Sequence, residues 1–346
     1  MAAGKVVLSA VRRALAGAGK GLRGAEGSVD RRLRAQALAE LAALDDRAPT
    51  QSLAARPAPR PGPLPLNKVC DLADFAHPEL VEALRDVFPH ELARFGPGFP
   101  ATVEYRKHWE VAMTARAFRA GSVLRPDAEV LGVGAGNEPT IFWLTQHVRR
   151  VFATDLYLAE GWGESANARM MLEPATQWPG AWNPRRLVVQ HMNGLDLRYE
   201  DASFDGIFSS SSIEHFGTDA DIARAVDEMF RVLKPGGVLS VATELRLAGP
   251  GKGFANVRMF DRQELLALLV GDRRWKPLDA FDDTLSRETL ECITPEARAI
   301  GDVQRHQQAH GEIHFHRLSW SAYPLIVLER DGYRWTSAHV ALQKLG

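Results

Sequence analysis

Cysteine is nearly absent from this sequence: Cys70 and Cys292 are the only two among 346 residues. That scarcity argues against a disulfide framework and against a cysteine zinc site, and it makes a reducing cytoplasm the expected compartment. Long apolar runs are missing too. No uninterrupted stretch approaches the ~20 residues of a spanning helix, so no transmembrane segment is expected. Nor does one sign of charge dominate. A formal net charge of -1 and a pI near 6.8 give no global pull toward nucleic acid or an anionic membrane, and no nucleic-acid partner is expected. What remains is 45% hydrophobic and 25% charged, an ordinary globular composition, long enough for one large domain with additions or for two.

The first segment is the exception to this balance. Lys5, Arg12, Arg13, Lys20, Arg23, Arg31, Arg32 and Arg34 face only Glu26 and Asp30. The apolar stretch Val6-Val7-Leu8 is too short for a secretory signal. An Arg-rich, acid-poor start suits a transit peptide or an amphipathic surface helix, but a solvated helical arm is the simpler reading. Pro49, Pro57, Pro59, Pro61, Pro63 and Pro65 then form a stiff linker that neither a helix nor an inner strand accepts. Residues 1–66 are therefore expected to be an arm and linker with few contacts to the rest.

From 67 to 128 the pattern is helical, with Ala73–Val87 and Glu104–Phe118 spaced as helices. Apolar runs then alternate with helical stretches: Glu129–Val133, Val151–Asp155, Leu187–His191, Gly206–Ser209 and Val238–Ala242. Short buried strands separated by helices predict a mostly parallel sheet covered on both faces. Beyond residue 245, Asp261 and Glu264 are spaced as a capping box for a helix through Val270. Ile313–Trp320, Tyr323–Arg330 and Tyr333–Leu342 read as strands, the last two joined by an Asp331-Gly332 hairpin turn. The expected fold class is α/β: a Rossmann-like doubly wound sheet with an antiparallel C-terminal hairpin and N-terminal helices. Residues 129–245 form its core, and 246–346 complete the sheet and an acceptor pocket.

Two motifs carry chemistry. In Val130-Leu131-Gly132-Val133-Gly134-Ala135-Gly136-Asn137-Glu138 a strand runs into glycines and then a helix expected over Ile141–Val148. Glycine permits a tight turn and brings backbone N–H groups close to a ligand, although a purely structural turn uses the same device. Asp155 ends the next strand twenty-one residues after Gly134, where an acid accepts hydrogen bonds from ribose hydroxyls. Together they favour a ribose-bearing cofactor.

At this point the chain resembles the class I S-adenosylmethionine-dependent methyltransferases. The later blocks extend the likeness over residues 129–245: the region around Phe204-Asp205 and Ser209-Ser210-Ser211-Ser212-Ile213-Glu214-His215-Phe216, and a helix leading to Lys234-Pro235-Gly236-Gly237 and a strand. The resemblance implies S-adenosyl-L-methionine as cofactor, with contacts at Gly132, Gly134, Ala135, Gly136, Asp155, Leu156, Met192, Asn193, Ser209 and Ser210. Asn193 stands where the family has an acid for the adenine amino group, and its carbonyl oxygen still offers an acceptor. Gly132 stands where the family often has an acid, and Glu138 where it has a third glycine. Arg106 and Trp109, one turn apart, are expected to replace the lost contact, Arg106 facing the methionine carboxylate and Trp109 covering it. A core Trp109 and a surface Arg106 are the plainer alternative.

Methyl transfer to a hydroxyl needs an aligned nucleophile and a base. His215 is the best-placed titratable group, with Glu214 to orient it, although such a pair is also often structural. His306, His310, His314 and His316 form a second cluster, with Glu312 nearby. A pocket wall or exposed rings suit it better than a metal, since no cysteine or firm carboxylate pattern accompanies it, and no metal is expected. The resulting expectation is methyl transfer to oxygen on a small-molecule or glycan-related acceptor. A nicotinamide-dependent oxidoreductase shares the glycine turn and ribose acid, and a cofactor-fold scaffold without activity is the non-enzyme rival.

Overall fold

The computed structural model describes residues 57–159, 166–254, 256–271, 273–311, 313 and 318–346. The basic arm through residue 56, Glu312, His314 and His316 lie outside them.

In chain order the elements are β1 (Lys68–Val69), α1 (Pro78–Val87), α2 (Pro89–Phe95), α3 (Arg106–Ala120), β2 (Glu129–Val133), α4 (Pro139–Leu144), β3 (Arg150–Asp155), α5 (Arg169–Leu172), β4 (Leu187–His191), β5 (Phe204–Ser210), α6 (Asp219–Val232) and β6 (Leu233–Ala248). There follow β7 (Gly253–Phe254), β8 (Val257–Arg258), α7 (Arg262–Val270), β9 (Trp275–Pro277), α8 (Arg287–Glu291), β10 (Ile293–Pro295), α9 (Glu296–His310), β11 (Val327–Arg330) and β12 (Tyr333–Lys344). The main sheet runs β10-β11-β12-β6-β5-β2-β3-β4, and β1 and β9 also pair with β12. Strands β2 to β6 are mutually parallel, whereas β12 is antiparallel to β6 and β11. From β2 the chain winds outward through β3 and β4, then returns to β5 and β6 on the other side. That reversal opens a crevice beyond the carboxyl ends of β2 and β5.

Local sequence explains the elements. Val130, Leu131, Ile207, Phe208, Leu239 and Val241 are buried on a sheet covered from both sides. In α6, Thr218 and Asp221 make a reciprocal capping box, and Ile222, Ala225, Val226, Met229 and Val232 bury one face at helical spacing. Helix α7 starts on the expected Asp261–Glu264 box. Helix α3 is buried almost all round, between α1 and the strands β5, β6 and β12. Its charged residues Arg106, Glu110 and Arg116 are therefore paired rather than solvated, as burial requires.

Four expectations are corrected. The proline segment, expected to make few contacts, packs on the rest from residue 60 onward: Leu64 and Leu66 are buried, Arg116 donates to the Leu64 carbonyl at 2.5 Å, and Asp279 accepts from Leu66 N at 2.6 Å. Proline lacks an N–H, but its carbonyls and the intervening leucines still pack. The helix after the glycine turn ends at Leu144 instead of Val148. Ile313 and residues 318–320 are not in a strand, and the next strand starts at Val327, not Tyr323. Helix α9 takes up Glu296–His310, which lacks a clear apolar stripe: only Gly301 and Asp302 are fully buried.

Candidate functional site

The crevice holds a cavity of about 780 Å³, lined from four strand ends by residues 134–138, 155–156, 192–195 and 210–212. After β2 the backbone turns at positive φ, 62° at Gly134 and 50° at Gly136. A Cβ on Gly134 would come within 2.6 Å of Ser212 Oγ, so the turn is closed to side chains. Asp155 braces it: its carboxylate accepts from Gly136 N at 2.8 Å and Leu156 N at 2.6 Å. Burial nonetheless pushes its carboxyl up from the ordinary range. The buried Tyr157 adds a hydroxyl bond to the Gly136 carbonyl at 2.7 Å. Asn193 lies in the next loop, its side-chain oxygen accepting from Leu195 N at 3.0 Å.

Gly132 does not line the cavity. A Cβ there would meet the Phe208 ring at 2.5 Å and Ala135 Cβ at 2.8 Å. The place where an acid was sought is a packing position, filled by Phe208 from the neighbouring strand. Glu138, at the N-terminus of α4, does face the cavity; enclosure, reinforced by the Glu110 carboxylate, pushes its carboxyl up to about 8.

Arg106 and Trp109 share a face of α3, but it is the face turned away from the cavity. The Arg106 guanidinium forms a two-pronged pair with Glu244 at 2.6 and 3.0 Å and donates to Ser337 at 2.9 Å, tying α3 to β6 and β12. Trp109 is core, its indole N–H bonded to Asp74 at 2.8 Å. The expected role toward the methionine carboxylate is corrected: both side chains are committed elsewhere. One position along, Lys107 reaches the cavity instead, bonded to Glu110 at 2.9 Å, Glu244 at 3.0 Å and Ser211. Burial works against ionising Glu244, but Arg106 and Lys107 prevail and hold it down to about 2.

His215 lines the cavity beyond β5, and its Nδ1 lies 2.8 Å from the Asn256 carbonyl. A carbonyl only accepts, so Nδ1 carries the proton and Nε2 the ring's lone pair. Glu214 is buried beneath, accepting from Thr243 at 2.7 Å, and does not line the cavity; burial pushes it up to about 6. Of the other expected residues, Gly134, Ala135, Gly136, Asp155, Leu156, Met192, Asn193 and Ser210 come together around the cavity, and Ser209 stays in the sheet beneath. The far wall, unforeseen from sequence, is aromatic and polar: Phe88, His90, Glu91, Tyr105, His108 and Trp178. His306 and His310 lie one turn apart on α9 with tilted rings, centroids 4.5 Å apart, and among the described residues no cluster of three His, Cys, Asp or Glu is placed to hold a metal.

Residues 131–241 match a family model described as a methyltransferase domain. Over that third of the chain the protein is similar to methyltransferase domains. The chain is 30% identical over 128 residues to the 27-O-demethylrifamycin SV methyltransferase of Amycolatopsis mediterranei, a match covering 37% of this chain and 42% of that protein. It is 41% identical over 68 residues to a probable S-adenosylmethionine-dependent methyltransferase of Mycolicibacterium smegmatis, covering 19% of this chain and 25% of the relative. The matched region thus spans less than half the length of these relatives. Among solved structures, the cyclase SpnF aligns with a TM-score of 0.46 and 17% identity, over 78% of this chain and 96% of that one.

The residues lining this cavity fit S-adenosyl-L-methionine. Gly134, Ala135 and Gly136 bring backbone to the cavity, Asp155 presents a carboxylate beside them, and Leu156 and Met192 offer apolar surface in the adjoining loops. The departure at the family's acid position changes packing without closing the cavity. Among the described residues, no helix is long and apolar enough to cross a membrane.

Proposed function

We propose that this chain transfers a methyl group from S-adenosyl-L-methionine to an oxygen of a small, glycan-related acceptor held in the same cavity. One observation carries the reading: the cavity, of about 780 Å³, runs from the glycine turn and Asp155 to the aromatic far wall, a volume suited to a cofactor and a small partner together. When bound, the cofactor supplies a methyl group on a sulfonium that leaves as a neutral thioether. Asp155 holds the ribose hydroxyls, Leu156 and Met192 flank the adenine, and Asn193 accepts from its amino group. The backbone at Gly134, Ala135 and Gly136 lets the cofactor approach closely. His215 Nε2 takes the acceptor's hydroxyl proton as the new C–O bond forms, and Glu214 beneath steadies the charged ring. The two buried free thiols, Cys70 and Cys292, support a reducing cytoplasm as the site of action.

Calorimetry with S-adenosylhomocysteine and NAD tests the cofactor. Saturable binding of the first and none of the second is expected, and Asp155→Ala should weaken it by about 2 kcal/mol. Binding of NAD, or a variant with parental affinity, would overturn the assignment.

A further inference from the structure

The far wall holds polar groups that methyl transfer does not use. Glu91, on α2, is only 3% exposed and lines the cavity. Its Oε2 has no hydrogen-bond partner, and neither has Nδ1 of His90 nor the indole Nε1 of Trp178, which line the same cavity. From the other Glu91 oxygen, His90 Nε2 lies at 3.7 Å and Arg94 Nη1 at 3.9 Å, both too long for a hydrogen bond. Buried polar atoms are almost always paired, so three orphans in one corner mark a place where a ligand completes the bonding.

The corner is walled by rings. Trp178 lies parallel to Phe142 with centroids 5.8 Å apart, and His90 stands edge-on to it at 4.7 Å. His108 lies over Phe88 at 4.3 Å. Gly180 leaves room at the indole nitrogen, where a Cβ would come within 2.7 Å. Burial pushes His90 down to about 4 and His108 down to about 3, with nearby Arg94 adding to both, so these rings stay neutral at physiological pH.

The orphans differ in kind, and this selects the ligand. An indole N–H only donates and a neutral imidazole does either; burial pushes the Glu91 carboxyl up to about 7 against the nearby Arg94, so it accepts when ionised and also donates when protonated. A phosphate or carboxylate would satisfy Trp178 but meet Glu91. An ammonium would satisfy Glu91 but meet the indole N–H and the Arg94 guanidinium. A hydroxyl group both donates and accepts, and a pyranose also carries apolar C–H surface suited to aromatic rings. We infer that Glu91, His90 and Trp178 form a recognition corner for a neutral polyhydroxylated ring, a saccharide, one hydroxyl donating to Glu91 and a neighbour accepting from Trp178. The proposal rests on the methyltransferase reading only in making that ring the methyl acceptor; the binding itself does not.

The test uses the full chain saturated with S-adenosylhomocysteine and titrated with a panel of methyl pyranosides, followed by saturation-transfer NMR. Ethanolamine and inorganic phosphate serve as contrasts. Saturable pyranoside binding is expected, weakened about tenfold by Glu91→Gln and by Trp178→Phe, with S-adenosylhomocysteine affinity unchanged in both. Glu91→Gln should also raise the melting temperature of the ligand-free protein, because it removes a buried acid that has no partner. A lowered melting temperature with unchanged pyranoside affinity would make Glu91 a structural residue and overturn the proposal. So would the absence of saturable pyranoside binding up to ~100 mM, or Glu91-dependent binding of ethanolamine or phosphate instead. Failure of the parent to bind S-adenosylhomocysteine would strike the methyltransferase reading and leave the pyranoside result standing.

Discussion

His215 and Glu138 are two side chains on one cavity with different consequences. The Asn256 carbonyl fixes the His215 tautomer with its lone pair on Nε2, the form a base requires. His215→Ala should lower turnover ~100-fold while S-adenosylhomocysteine affinity barely changes. Full turnover in the variant, measured on a true acceptor, would leave alignment alone as the source of rate. Glu138 acts on stability. Its carboxyl is pushed up to about 8 from 4.5, so between these values the folded state keeps a proton the unfolded state has released. Stability contributed by the neutral form is present below pH 4.5 and is lost as pH rises toward 8. In cofactor-free protein, Glu138→Gln should flatten that decline and melt above the parent at pH 9 but not at pH 4. Parallel melting curves across the range would remove Glu138 as the cause.

At the scale of elements, β2 and β5 show how packing redefines a motif. Gly132 looked like a vacancy in a binding pattern; against Phe208 it is a steric requirement. Gly132→Asp would overpack the strand pair and bury a charge, costing roughly 3 kcal/mol or more by chemical denaturation. Near-parental stability would mean that Phe208 can move aside. The core strands were legible within a few residues because apolar runs bounded by turns are a local signal, and with them the strand ends bearing Gly134, Asp155, Met192 and Ser210. Lys107 was missed because Arg106 and Trp109 do share a helix face, while which face meets the cavity depends on α3 docking against β6 and β12 through Arg106. Glu91, His90 and Trp178 escaped for a related reason: they come from a short helix and a loop outside the repeating pattern, and only tertiary packing brings them together.

For the whole molecule, the boundary drawn at residue 66 divides a packed unit. Residues 60–66 hold bonds to Asp71, His77, Arg116, Asp279 and His339. A chain beginning at residue 67 should therefore be less stable than one beginning at residue 57 by about 2 kcal/mol or more, since it loses the buried Leu64 and Leu66. Equal melting temperatures would show those contacts to be energetically neutral. Strand β12 binds the ensemble together: one edge lies along β6, and the other is shared among β11, β1 and β9. This has a consequence for synthesis. Lys68 emerges from the ribosome early but pairs with His339, and the open edge of β6 has no partner until the same late strand arrives. From the emergence of β6 until β12 follows it, the nascent chain must carry an uncovered, largely apolar strand edge, an invitation to pairing with other chains. Premature termination before Tyr333 should leave that edge uncovered for good, so shortened products are expected to aggregate rather than survive as partly active protein.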